Sequence, residues 1–285
     1  MKTWINISLL LVLFSITVFS KSGLLSEEDL KNAKWYTNLE ESLKEPLKVY
    51  KLGLTNKGIV IFPQKIFKLE NLQILGITKN KLESLPENIG HLKNLQDLWL
   101  GENRLKNVPK SIGHLKNLQK LSLWRNQLKK VPKSIGHLKN LRELWISANQ
   151  LESVPESIGN LKNLQELSLA YNQLKILPES IGNLKNLQKL SLWRNQLKTL
   201  PKSIGNLKNL QQLSLYNNNL KNVPESIGNL KNLQKLYLSE NQLKNLPESI
   251  ANLKKLQILT LTGNPIPQNE QNKIKKLLPK CRITF

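Results

Sequence analysis

The chain has 285 residues, with 43 Lys and Arg against 20 Asp and Glu for a net charge of +23. That length suits one or two domains of ordinary size. The single cysteine, Cys281, excludes an intramolecular disulfide and a cysteine-based zinc site.

The chain opens with MKTWINISLLLVLFSITVFSKSG, one lysine followed by an apolar run from about Trp4 to Phe19. Val18 and Ser20 suit the −3 and −1 positions of a cleavage site before Lys21, so the pattern predicts a secretory signal peptide over residues 1–20. The other reading is an uncleaved anchor, but the run falls short of the roughly 20 apolar residues a membrane span needs. After cleavage the chain would hold no membrane span and would work in the periplasm, at the cell surface or outside the cell. A lone cysteine is compatible with export. Residues 21–48 then predict an N-terminal helical cap. Ser26-Glu27-Glu28-Asp29 is a helix start with acids in its first turn. Leu30, Ala33, Leu39 and Leu43 form an approximate apolar stripe as far as Lys44, and Pro46 ends it.

Residues 49–264 are periodic. Asn80, Asn103, Asn126, Asn149, Asn172, Asn195, Asn218, Asn241 and Asn264 recur every 23 residues without an insertion. Around each runs a unit such as LQELSLAYNQLKILPESIGNLKN. A weaker copy precedes them, with Val49, Leu52, Leu54, Ile59 and Phe62-Pro63 in register and Lys57 in place of the asparagine, giving ten copies. L-x-L has period two, so the leucines point one way and their neighbours the other. One unit cannot bury its leucine face alone, whereas stacked units bury a continuous core. The Asn carboxamide both donates and accepts, so a ladder of asparagines can satisfy backbone groups where the strand ends. Lys57 cannot accept a hydrogen bond, so the first copy should be irregular. Proline after Leu or Val stops the strand, and the glycine of S-I-G is expected to permit a tight bend.

Ten in-register copies of L-x-x-L-x-L-x-x-N-x-L resemble the leucine-rich repeat family, and more closely the 23-residue bacterial type found in secreted spirochaete proteins. The resemblance implies an α/β repeat solenoid: a curved horseshoe with a parallel β-sheet on its concave side, an irregular or 3-10 convex side and terminal caps. The C-terminal cap would occupy residues 265–285, with QNEQNKIKKLLP as a short helix and CRITF as a last strand placing Cys281, Ile283 and Phe285 on one face.

Counting from the Asn, positions −6, −4, −2, −1 and +1 face outward on the concave side. Position −4 holds Trp99, Trp145 and Tyr237; position −2 holds Trp124, Trp193 and Tyr216; Tyr171 is at −1. Neighbouring strands lie about 4.8 Å apart, so Trp99, Trp124 and Trp145 should lie within reach of one another, and Trp193, Tyr216 and Tyr237 should form a second run. Arg104, Arg125 and Arg194 would add charged contacts, with Arg142 near the first run. Trp, Tyr and Arg are enriched at protein-binding hot spots, which points to a protein partner. LQKLSLWRNQLK occurs at both 118–129 and 187–198, so block duplication is a competing origin for Trp193, though not for Trp99, Trp145, Tyr216 or Tyr237.

A row of lysines, Lys93, Lys116, Lys139, Lys162, Lys185, Lys208, Lys231 and Lys254, stacks on the outer side. Its plain reading is a solvated face; its functional reading is attraction of anionic glycosaminoglycan or another envelope polymer. Export and the lack of a binding module argue against nucleic acid. His91, His114 and His137 share one position that asparagine fills in later copies, so no metal site is assigned. There is no catalytic constellation and no cofactor motif. The sequence reading is a monomeric, exported, non-enzymatic protein that binds a host or cell-surface protein through its concave face. The alternatives are polyanion binding through the lysine row and a structural scaffold without a ligand. Similar spirochaete proteins suggest the host partner by analogy, since fold alone does not give function.

Overall fold

The computed structural model describes residues 23–285; the segment assigned as a signal peptide lies outside the described residues. In each repeat the first leucine of L-x-L and its two neighbours form a short strand. The strands are β1 (Trp35–Tyr36), β2 (Lys51–Gly53), β3 (Ile74–Gly76), β4 (Asp97–Trp99), β5 (Lys120–Ser122), β6 (Glu143–Trp145), β7 (Glu166–Ser168), β8 (Lys189–Ser191), β9 (Gln212–Ser214), β10 (Lys235–Tyr237), β11 (Ile258–Thr260) and β12 (Arg282–Thr284). They form one parallel sheet in chain order. The register aligns equivalent leucines, Leu98 with Leu121 and Leu121 with Leu144. After each of β2 to β10 the chain returns through a five-residue 3-10 turn that starts behind a proline, such as Glu156–Asn160 behind Pro155. The result is a curved solenoid. Leu, Ile and Val from every coil fill its interior, most with no exposed surface, and each fully buried side chain contributes roughly 1.5–3 kcal/mol.

The asparagines close the backbone account at the strand ends. Asn172 donates from Nδ2 to the carbonyls of Ile146 (3.0 Å) and Leu169 (3.1 Å), and its Oδ1 accepts the N–H of Leu151 (3.0 Å). Ile146 and Leu151 belong to the preceding coil, so each carboxamide serves its own coil and the one before. The side chain is 8% exposed, where an unpaired amide would be costly. At the first coil Asn80 Oδ1 accepts two N–H groups, from Lys57 (2.9 Å) and Ile59 (3.0 Å), and Gly58 takes a φ of +69°. A second, outer asparagine series runs from Asn71 to Asn232. Its carboxamides donate to carbonyls of the preceding coil, as Asn163 does to Lys139 (2.9 Å).

The residue before each ladder asparagine is left-handed. Eight of these are non-glycine, including Arg125, Tyr171 and Arg194, with φ between 49 and 56°; Gly263 takes the position in the last coil, and Asn56 is left-handed before Lys57 in the first. Such a conformation costs about 1–2 kcal/mol per residue. Cross-coil bonds hold it in place: Arg125 N–H donates to the Ser147 carbonyl at 2.9 Å and Asn126 N–H to the Ala148 carbonyl at 3.2 Å.

The S-I-G glycines do something other than bend the chain. None has a positive φ. Instead the coils approach so closely there that a Cβ on Gly159 would lie 2.4 Å from the Ser180 carbonyl oxygen and 2.7 Å from its Cβ. Glycine is thus a packing requirement between coils. The last coil supports this: Ala251 replaces the glycine, and its turn packs against the C-terminal helix Gln268–Leu277 rather than against another serine turn. Buried serine hydroxyls at these contacts, including those of Ser157 and Ser180, have no hydrogen-bond partner, so the serine is held for its size.

At the N-terminus, α1 (Glu27–Asn32) starts at Ser26, whose Oγ accepts the Asp29 N–H at 3.0 Å. The expected helical stretch does not run unbroken to Lys44. Trp35 and Tyr36 leave it to pair in parallel with β2, and α2 (Leu39–Ser42) then starts from an Asn38 cap. Tyr36 is buried against the first coil, which favours the strand. At the other end α3 (Gln268–Leu277) leads into β12, which pairs with β11, and Cys281, Ile283 and Phe285 pack partly buried against the core. No helix among the described residues is long and apolar enough to cross a membrane.

The contact geometry separates glycine from serine. Gly159→Ala is expected to lower stability by about 2 kcal/mol through overpacking, whereas Ser180→Ala should stay within about 1 kcal/mol. Urea unfolding monitored by circular dichroism measures both, and equal losses would refute the close-approach account.

Candidate functional site

Period-two alternation turns the residues between core leucines outward, so the sheet displays two tracks. Along the first, Trp99, Ser122, Trp145 and Ser168 occupy matching positions on successive strands. Trp99 and Trp145 therefore stand two strands apart, about 10 Å, and Trp124 lies further along its coil on the second track. The rings of these three tryptophans do not assemble: among the described residues no ring contact joins them. Their surroundings differ. Trp124 lies flat on Gly101, where a Cβ would fall 2.2 Å from the indole Nε1, and the Arg125 guanidinium sits 5.1 Å from its ring centre. Arg125 Nη1 also reaches Glu102 at 3.4 Å. Trp145 Nε1 donates to Glu166 Oε1 at 3.0 Å. Trp99 is the most exposed of the three, at 40%. Arg104 is exposed and stands apart from the ring contacts found among the described residues.

The second group does assemble, with altered membership. Tyr171 and Trp193 meet edge to face at 4.4 Å between centres, and Trp193 and Tyr216 lie 6.4 Å apart at 42°. Arg194 covers Tyr171 at 4.6 Å and Trp193 at 5.9 Å, and its Nη1 donates to the Tyr171 hydroxyl. Tyr171, placed only beside the tracks by the sequence, is central here. Tyr237 makes no ring contact among the described residues but joins Trp193, Tyr216, Ser214, Gln212 and Thr260 around a shallow hollow of about 390 Å³.

A residue outside the repeats also reaches the concave face. Trp35 on β1 is 46% exposed and lines a hollow of about 580 Å³ with Trp99, Asp97 and Arg142. The 23-residue period could not reveal it, because β1 is not part of the repeat. Asp97 is half-buried there. Burial pushes its carboxyl from the ordinary 3.8 up to about 6, with Lys120 pulling it down and Glu143 pushing it further up. Lys120 is drawn toward Glu143, at 3.2 Å.

The eight lysines of the outer row are all exposed, yet several point back to the backbone. Lys116 Nζ donates to the Gly113 carbonyl at 2.8 Å and Lys185 Nζ to that of Gly182 at 3.1 Å. Among the described residues no cluster of three or more His, Cys, Asp or Glu is placed to hold a metal ion.

Known proteins share this architecture. The profile described as leucine-rich repeat region matches residues 29–154, 95–176, 156–218 and 203–278. Among solved structures, a plant peptide hormone receptor, RGFR1, in complex with RGF2 is 35% identical with a TM-score of 0.71, over 82% of this chain and 38% of that one. A TDR receptor is 26% identical with a TM-score of 0.75, over 89% and 46%. A leucine-rich repeat protein of Leptospira interrogans is 32% identical over 88% of this chain and 100% of that one, with a TM-score of 0.33. The chain thus spans less than half the length of either receptor chain. Curated proteins gave no match.

Asp97 generates a pH prediction. A raised carboxyl pKa means the folded state holds the proton more tightly than the unfolded chain, so stability falls as pH rises from the unfolded value to about 6. Asp97→Asn, neutral throughout, should melt higher than the parent at neutral pH. The gap should open between about pH 4 and pH 6, as thermal melts across that range would show.

Proposed function

The chain belongs to the leucine-rich repeat family, and from that premise we propose that it is an exported binding protein that recognises a host or cell-surface protein through its concave face. Binding, and not catalysis, is the role the geometry favours. The observation that carries this reading is the Tyr171–Trp193–Tyr216 group with Arg194 laid across it. These rings take no part in the leucine core. Tyr171 and Arg194 stand on left-handed backbone, and the ring and guanidinium contacts hold the side chains against one another, so little side-chain freedom is lost when a partner arrives. Aromatic and arginine anchors of this kind dominate protein interfaces. A similar receptor, solved in complex with RGF2, gives the reading a precedent in this architecture. Trp124, Trp145 and Tyr237 would extend the contact as flanking positions, with Trp99, Arg104 and Arg125 at its N-terminal side. We take the protein to act as a monomer.

A second reading, an anionic glycan or envelope polymer held by Lys93, Lys116, Lys139, Lys162, Lys185, Lys208, Lys231 and Lys254, rests on the exposure of the whole row. Bonds from Lys116 and Lys185 to backbone carbonyls weigh against it, because those ammonium groups are partly satisfied already.

Salt and substitution separate the two. Partner capture from host-cell surface extracts should survive high salt, and Trp193→Ala with Tyr216→Ala should weaken it by about 30-fold or more. Capture that collapses with salt and ignores the double variant would favour the lysine row.

A further inference from the structure

Gly53 and Gly76 are glycines the fold does not demand. Neither has a positive φ. A Cβ on Gly76 would meet only the Gly53 Cα, at 4.0 Å, and one on Gly53 would meet the Trp35 ring at 3.5 Å, both ordinary contacts. The S-I-G glycines, by contrast, leave a Cβ no room. Gly53 and Gly76 occupy matching positions on β2 and β3, and Trp99 is the next residue on the same track, on β4. Trp35 leans over Gly53. The two half-exposed indoles therefore flank bare backbone at Gly76, with the Lys51 ammonium 5.4 Å from the Trp35 ring centre. Two strand spacings separate β2 from β4, about 9–10 Å. A flat ring in contact on both faces needs roughly 7–8 Å, so the gap has room for a thicker, puckered ring.

The polar groups around this slot set the chemistry of a guest. Asp97 offers acceptors and Arg142 donors, while Lys120 is shared with Glu143 and the Gln119 Nε2 with Gln96, leaving the Gln119 Oε1 as a further acceptor. An aromatic side chain of a partner would leave Asp97 and Arg142 without hydrogen-bond partners, at a cost for each. A hydroxylated ring with apolar C–H faces and a polar rim satisfies the indoles and the polar groups together. We propose that the slot between Trp35 and Trp99, floored by Gly53 and Gly76, is a carbohydrate subsite that takes one pyranose unit of a surface or matrix glycan. It lies at the N-terminal end of the concave face, on β1–β4, whereas the Tyr171–Trp193–Tyr216 group adjoins β7–β9. It goes beyond the protein-binding reading and does not depend on it.

The test uses the purified protein, a panel of hexose, N-acetylhexosamine and hexuronate oligosaccharides, and N-acetyl-tryptophanamide as an aromatic control, by isothermal titration. Binding of at least one saccharide in the millimolar range or tighter is expected. Gly76→Val should fill the slot while leaving both indoles in the chain, keep the parent's urea midpoint and weaken that binding by about tenfold or more. Trp35→Ala should weaken it likewise, while Trp193→Ala should leave it intact. The proposal is overturned if no saccharide binds, if binding survives Gly76→Val, or if only the tryptophan amide occupies the slot. The last outcome would make the slot an anchor for a partner's aromatic residue. Loss of protein capture by the Trp193 and Tyr216 variants bears on the other site alone.

Discussion

Everything in this solenoid depends on how a coil disposes of its backbone polar groups where the chain leaves the sheet. The strands are only three residues long in the repeats, so most of each coil lies outside the sheet with N–H and C=O groups to satisfy. The ladder asparagines solve this at the strand ends, the outer asparagines solve it on the far side, and the 3-10 turns solve it internally. Leucine burial supplies the driving force, but it is non-directional. The carboxamides and the close glycine–serine contacts fix the coil-to-coil register.

Because the scaffold is settled by inward residues, outward positions are free to vary. Lys, Glu, Gln, Ser, Trp and Tyr all occupy the outward positions with no change in strand register. That freedom makes the departures informative. Tyr171, Trp193 and Tyr216 are bulky where serine would serve, and Gly53 and Gly76 are bare where a side chain would fit. The first group adds aromatic surface to the concave face; the second removes side-chain surface from it.

The repeat, the parallel sheet and the strand ends are legible in the 23-residue spacing, since period and burial are both one-dimensional signals. The S-I-G glycine is visible as a pattern, but its cause is a contact with the next coil and not the local bend that a glycine suggests. The left-handed residues before each asparagine are invisible in the sequence, for Arg125, Tyr171 and Arg194 carry no propensity that announces φ above zero. Ring contacts are half legible. Spacing brings side chains to the same region, but Trp124 turns onto Gly101 and Trp145 turns to Glu166, and these choices depend on neighbours one coil away. Trp35 escapes the period altogether, because it enters the concave face on a strand that interrupts an apparently helical stretch.

The asparagine ladder has a direction. Asn103 completes the coil of Asn80, Asn126 completes that of Asn103, and Asn264 completes that of Asn241. A coil emerging from the ribosome or a translocation channel therefore stays unfinished until its successor appears. Assembly must trail synthesis by one 23-residue step, and the growing tip leans on each new coil until α3 and β12 arrive to end the series.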